Sequence, residues 1–456
     1  MSARLAVESL AARAASKLSR IAGAGGGTTL PGKLLWKLDP GAIDALAARL
    51  RDGAAVISAT NGKTTTTAMA AEILAPGRRL AWNRSGANLV SGVASTLLAE
   101  RDAELGLLEV DEGALPEVVR RVRPRAVLLG NLFRDQLDRY GELEHVAERW
   151  RAATAALPPD TLLVVNGDDP QVGDLARERS NAIAYGIDDP RHARPALQHA
   201  ADSRYCVRCG QPYEFAAAYV GHLGDYRCPA CGHARPELQV RATEIELDGL
   251  HAASFLLVTP AGSTRLRLPL PGLYNVYNAL AALAAAQRLG LALPEAARAM
   301  EEMRAVFGRV ETVRVAGKDL SMLLIKNPAG ANEVIRTLLL EARANGEPTL
   351  DLWVGLNDRI ADGRDISWVW DADFELLAGH VRQVTCAGTR APEMAVRLKY
   401  AGIAPEAIEV APGITQSIDR AVDRADGRLF ALPTYTALLE LRTLLSKRGL
   451  ARDYWE

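Results

Sequence analysis

The stretch ATNGKTTTT at positions 59–67 limits what this chain can fold into more than any other. It follows the apolar run AAVISA (54–59) and leads into a helical pattern from Thr64 to Leu74, so a buried strand, a short loop and a helix succeed one another. Backbone N–H groups at a helix start, turned by a glycine and flanked by a lysine, can cradle phosphates. Thr60, Asn61, Gly62, Lys63, Thr64 and Thr65 are therefore the candidate ATP contacts. Lys63 would neutralise the terminal phosphates, and Thr64 or Thr65 would hold Mg2+. The strict phosphate-loop pattern asks for a glycine five residues ahead of Gly62, and this chain has Ile57 there. A Ser/Thr-capped helix start without a ligand is the plainer alternative.

LGLLEV (105–110), RAVLLGNL (125–132) and TLLVVNGD (161–168) are further apolar strands between helical stretches. That alternation predicts an α/β fold with a parallel sheet, whose ligands gather at the carboxyl ends of the strands. A chain of 456 residues is long enough for about three domains. We expect an N-terminal helical segment with a Gly-rich linker (1–45), an ATP-binding domain (46–312) interrupted by an insertion (201–236), and a second α/β domain (313–456). RATEIELDGL and STRLRLPL read as antiparallel strands that return the chain to the ATP-binding domain after the insertion.

Four of the five cysteines sit in two Cys-x-x-Cys pairs, and eighteen residues separate Cys209 from Cys228. Cys206, Cys209, Cys228 and Cys231 at that spacing predict one tetrahedral Zn2+ in a zinc ribbon. Four thiolates leave no open coordination position, so the zinc is expected to be structural, with His222 and His233 as surface residues rather than ligands. A redox pair is the competing reading of such motifs. Net charge is −1, which offers no general basis for binding nucleic acid. No uninterrupted apolar stretch reaches the ~20 residues of a transmembrane segment, and the N-terminal residues lack the apolar centre of a signal peptide. The sequence therefore reads as cytoplasmic; a mitochondrial presequence is the minor alternative.

With these motifs in order, the chain resembles the Mur ligase superfamily, whose loop reads Gly-Thr-Asn-Gly-Lys-Thr-Thr; Ala59 stands at its first glycine. The resemblance implies a Mur ligase-like central ATPase domain and places Glu109 of LLEVDEG (107–113) at the catalytic Mg2+, with Thr64. In NLFRDQLDRYGE (131–142), Gln136 replaces the family's second-magnesium histidine. No lysine occurs between Lys63 and Lys318, so the family's carbamylated lysine has no counterpart. GLYNVYNALAA (272–282) resembles the helix start that meets adenine, which assigns Asn275 and Asn278 to ATP, and FGRVE (307–311) assigns Arg309.

The zinc ribbon, GGGTTLPG, ADGRDISWVWD (361–371) and PTYTALLELR (433–442) together resemble one branch of the superfamily, the ligase subunits of lipid II isoglutaminyl synthases. What that implies is ATP-dependent amidation of the α-carboxyl of D-glutamate in the lipid II stem peptide, through an acyl phosphate, at the inner face of the plasma membrane. Cys386 ends an apolar strand and no histidine follows it, so ammonia would come from solution or from a second protein, and the resemblance implies a GatD-like glutamine amidotransferase partner. An aspartate of the ligase chain is implied to complete the partner's triad, with Asp365 the first choice and Asp362 the second. Trp368 and Trp370 alternate as a docking strand would. The rival readings are a stand-alone Mur or folylpolyglutamate-type amino-acid ligase and a zinc-ribbon module that uses nucleotide as a switch.

Overall fold

The structure, a computed structural model, describes residues 29–39, 41–83, 87–135, 143–199, 201–303, 310–346 and 349–451. Nine strands make the larger sheet: β1 (Ala54–Ser58), β2 (Leu80–Trp82), β3 (Leu105–Glu109), β4 (Ala126–Leu129), β5 (Leu162–Asn166), β6 (Ala182–Ile187), β9 (Val240–Asp248), β10 (Ala252–Thr259) and β11 (Gly262–Leu268). Between β6 and β9 the chain forms a separate hairpin, β7 (Glu214–Val220) and β8 (Leu223–Arg227). The second sheet holds β12 (Glu311–Val315), β13 (Lys318–Met322), β14 (Leu350–Gly355), β15 (Val381–Ala387), β16 (Ile408–Val410) and β17 (Arg428–Pro433).

The spatial order of the large sheet is β11-β10-β9-β6-β5-β4-β1-β3-β2, parallel from β2 through β9 and antiparallel over β9–β10–β11. Every residue of β1, β3, β4 and β5 is buried, as helices on both faces require. In β10 buried and half-buried residues alternate along most of the strand, because that end of the sheet is covered on one face. The helix Leu273–Arg288 is rich in alanine and buried along most of its length. Its small side chains let it pack both on the sheet and against the helix Lys63–Leu74. The second sheet runs β12-β13-β17-β14-β15-β16, parallel except for β12.

The strands predicted for the ATP-binding domain are thus present in the larger sheet. The helix Leu30–Leu38 lies against Val90–Ala99 so closely that a Cβ on Gly32 would fall 1.9 Å from the Ser91 carbonyl oxygen, which ties residues of the N-terminal segment to the central body. No helix among the described residues is long and apolar enough to cross a membrane. Residues 1–28 and 304–309 lie outside the description, and with them most of the expected N-terminal segment and Arg309.

Candidate active site

The loop 59–62 leaves β1 and enters the helix Lys63–Leu74 through Gly62, whose φ of 92° is left-handed. A side chain there would also collide: its Cβ would sit 2.0 Å from Asn278 Oδ1. Both constraints require glycine. The loop is held from behind by the segment after β4. Thr60 N–H donates to the Asn131 carbonyl at 2.8 Å, Asn61 N–H donates to Asn131 Oδ1 at 2.9 Å, and Phe133 N–H donates to Thr60 Oγ1 at 3.1 Å. Ala59 replaces a glycine, and its methyl carbon lies 2.7 Å from where a Cβ on Gly130 would be. Thr64 is half-buried at the helix start, whereas Thr65 is buried and its hydroxyl has no hydrogen-bond partner.

Lys63 is buried, and its Nζ bonds the carbonyls of Ala59 and Thr60 and pairs with Glu112 Oε2 at 2.8 Å. The end of β3 thereby surrounds one ammonium with Glu109, Asp111 and Glu112. Burial alone would push the lysine down, but Glu112, then Asp111 and Glu109, hold its pKa above the ordinary value. Burial opposes charge on Glu112 as well, and Lys63 with Lys326 outweighs it and holds that carboxyl below the usual range. Glu109 is 1% exposed; its backbone pairs with the Asn83 side chain and its Oε1 accepts from Asn88 Nδ2 at 3.2 Å.

The second sheet completes the site. Beyond β13 the chain brings Lys326 to the loop, with Nζ 3.2 Å from the Thr60 carbonyl and 2.6 Å from Asp135 Oδ2. Asn327 pairs its amide with that of Asn61, at 3.2 and 2.9 Å. Between the two sheets opens a cleft, polar at Asn61, Asn131, Asn278 and Lys326 and apolar at Phe133, Val220, Leu223 and Leu324. Asn278 lines it, while Asn275 is fully buried and turned inward to the Pro271 carbonyl at 2.8 Å. Asn275 thus fixes the helix start and holds Asn278, which donates to its Oδ1 at 3.1 Å.

A smaller crevice beside Lys326 is lined by Arg134, Asp135, Asp362, Asp365, Trp368 and Asp371, among others. Asp365 is exposed there and accepts from Ser367 N–H at 2.8 Å. Asp362 is buried, with both oxygens taken by the backbone N–H and hydroxyl of Thr436, so it caps the helix Tyr435–Lys447. The expected docking strand is absent: Ser367–Trp370 is a 3-10 turn, with Val369 buried, Trp368 half-buried and Trp370 exposed against Tyr400. Cys386 is fully buried, which pushes its thiol up to about 12.

The four paired cysteines meet at one end of the β7–β8 hairpin, with all four sulfurs within 4.8 Å of one another. Two of the separations are 3.5 and 3.6 Å, close to the ~3.8 Å edge of a tetrahedron around Zn2+ at ~2.3 Å. The residues present fit zinc. His222 and His233 were expected at the surface, yet both are buried, at 0% and 3% exposure. His233 sits between the Tyr213 hydroxyl, at 2.8 Å, and Asp174, at 3.1 Å, anchoring the ribbon to the central body.

Residues 57–286 match the Mur ligase middle domain, and residues 324–438 match the MurT ligase C-terminal domain. The lipid II isoglutaminyl synthase (glutamine-hydrolyzing) subunit MurT of Streptococcus pneumoniae is 33% identical over 95% of both chains. The subunit of the same name from Staphylococcus aureus is 32% identical over 96% of both. The chain belongs to the Mur ligase family. Within that family it falls in the MurT branch, which both the C-terminal match and the two relatives support. Solved Mur ligase folds agree. A pseudomurein peptide ligase type C from Methanothermus fervidus superposes with a TM-score of 0.68 at 21% identity over 89% of this chain and 80% of that one. MurF from Acinetobacter baumannii gives 0.65 at 19% over 92% and 79%.

In this Mur ligase the structure brings Asn61, Gly62 and Asn278 to one cleft, keeps Thr60 and Lys63 in the loop beside it, and gathers Glu109 with its acidic neighbours around Lys63. Sequence reasoning missed Asn131, Asp135, Lys326 and Asn327. The usable signal for the last two was a Lys-Asn pair at the end of the apolar run LSMLLI, directly ahead of a helix with proline at its start. For the zinc site, Cys209→Ser is expected to reduce bound zinc from one equivalent to a small fraction. Losing a closed structural site should lower the melting temperature by at least ~5 °C. Elemental analysis and calorimetry check both; an unchanged melting temperature with zinc lost would remove the structural role.

Proposed function

We propose that this Mur ligase is the ligase subunit of a lipid II isoglutaminyl synthase and amidates the α-carboxyl of D-glutamate in the lipid II stem peptide. The observation that carries the reading is likeness over nearly the whole length of two chains that bear that name. The geometry supports it in detail. In the loop 60–65, the backbone N–H groups of Gly62, Lys63, Thr64 and Thr65, the hydroxyls of Thr64 and Thr65 and the Lys63 ammonium are available to the phosphates of ATP, and the family resemblance assigns Asn278 and Arg309 to the same nucleotide. Thr64 and Glu109 would hold Mg2+, whose charge would offset that of the phosphates. The substrate carboxylate attacks the γ-phosphoryl group, ADP leaves, and ammonia displaces phosphate from the acyl phosphate to give the amide. Such transfer depends on positioning and charge, and a site of lysine, hydroxyls and carboxylates supplies both without a protein nucleophile.

Ammonia has to reach this site from elsewhere, since Cys386 is buried and its thiol held protonated. We assign its delivery to a GatD-like glutamine amidotransferase subunit at the inner face of the plasma membrane, where lipid II is anchored. Incubating the chain and such a partner with lipid II, MgATP and glutamine is expected to yield amidated lipid II, glutamate and ADP in equal amounts. The chain alone should amidate with a high concentration of ammonium. Transfer of an amino acid in place of ammonia, without a partner, would make it a stand-alone ligase.

A further inference from the structure

The zinc ribbon has two ends, and only one of them holds the cysteines. Cys206 and Cys209 precede β7, and Cys228 and Cys231 follow β8, so the metal end is where the hairpin opens. The closed end, Val220 to Leu223, points into the molecule: Val220 is 4% exposed and Leu223 2%. A hairpin turn ordinarily faces solvent. Here Val220 and Leu223 line the cleft between the sheets together with Asn61 and Gly62 of the loop and with Asn278.

His222, inside the turn, is fully buried. Its Nδ1 accepts from Asp202 N–H at 3.3 Å, its Nε2 lies 3.4 Å from Asp169 Oδ2, and its ring is 4.7 Å from that of Phe133. Phe133 is the residue whose backbone brackets the Thr60 hydroxyl, donating from N–H at 3.1 Å and accepting at its carbonyl at 3.3 Å. Asp169 in turn accepts from Leu132 N–H at 2.8 Å. One side chain therefore stands between the turn and the loop that would carry the phosphates.

A nucleotide has a charged end and a flat, largely apolar end. With its phosphates at the loop 59–62, the base extends to the apolar part of the cleft, where the hairpin supplies two of the aliphatic side chains. We propose that the closed end of the zinc ribbon is part of the nucleotide site. Val220 and Leu223 form a bed for the base, and His222 is a positioning residue for the loop, acting through Phe133 and Asp169. Zinc then acts at a distance, by fixing the hairpin that carries all three. The proposal rests on reading the cleft as the ATP site.

The test compares affinities of the full-length, zinc-loaded chain for MgATP and for magnesium tripolyphosphate, which lacks the base. Leu223→Gln and Val220→Thr are expected to weaken MgATP about tenfold and leave tripolyphosphate within about twofold. His222→Ala is expected to weaken both ligands by a similar factor, with His222→Gln recovering part of the loss. Zinc content and melting temperature certify each variant; Val220→Thr, which preserves volume, serves if Leu223→Gln does not fold. Variants that are folded and zinc-loaded yet bind MgATP like the wild type overturn the inference. Lys63→Ala separates this failure from the other: if it binds MgATP as the wild type does, it is the reading of the cleft that falls.

Discussion

Lys63→Ala is expected to reduce acceptor-dependent ATP turnover by ~10²–10³-fold, the effect of removing one pre-positioned charge from a developing anion. The side chain is buried at the loop, and its only anionic bond partner among the described residues is Glu112, at 2.8 Å. In that position the ammonium is charged and already desolvated, so little reorganisation is needed before it meets phosphate oxygens. The substitution also leaves Glu112 buried beside Asp111 and Glu109 with Lys326 as its remaining cation. Breaking a buried pair by removing one partner costs about 3–5 kcal/mol, so a loss of activity alone does not separate lost chemistry from a lost fold. Lys63→Ala with Glu112→Gln resolves this, because the uncompensated carboxylate is gone. The double variant should recover most of the melting temperature and none of the turnover. Recovery of both would make Lys63 a structural counter-ion.

The second large effect concerns Asp365. With the partner and glutamine, Asp365→Asn is expected to lose amidation by ~10⁴-fold if it orients the partner's histidine, as conversion of such an aspartate to the amide does elsewhere. With ammonium it should keep the wild-type rate, because the ligase cleft is untouched. Asp362 was the other candidate, and its surroundings assign it different work. Both of its oxygens are engaged by Thr436 at the start of a helix. Asp362→Ala should therefore cost ~0.5–2 kcal/mol of stability, the range for a lost cap, and lower both nitrogen sources alike. Equal loss of the two activities in Asp365→Asn would move that residue into the ligase site; no loss would make it a turn residue.

What the sequence disclosed depended on how far apart the partners lie along the chain. The strand, loop and helix around Gly62 are local, and so are the two cysteine knuckles; apolar runs and fixed spacings report them directly. Lys326 was invisible as a site residue because its bonds reach back 266 residues to Thr60 and 191 to Asp135. His222 was expected at the surface because hairpin turns lie there, and only packing against Phe133 and Asp169 buries it. The alternation of Trp368 and Trp370 suggested a strand, but the short 3-10 turn buries the valine between them instead. Asn275 and Asn278 share one motif and differ in duty, one holding the helix start and the other facing the cleft, a distinction that three residues of sequence do not reveal.

Ala59 and Gly130 carry a lesson about descent. The methyl of Ala59 occupies the space that a side chain at position 130 would need, so the two positions share one small volume. A lineage that turned the first loop glycine into alanine could do so only with a glycine across the neighbouring strand, and a return to glycine at 59 would free position 130 to vary. The two positions should therefore change together among relatives, with alanine at 59 accompanied by glycine at 130.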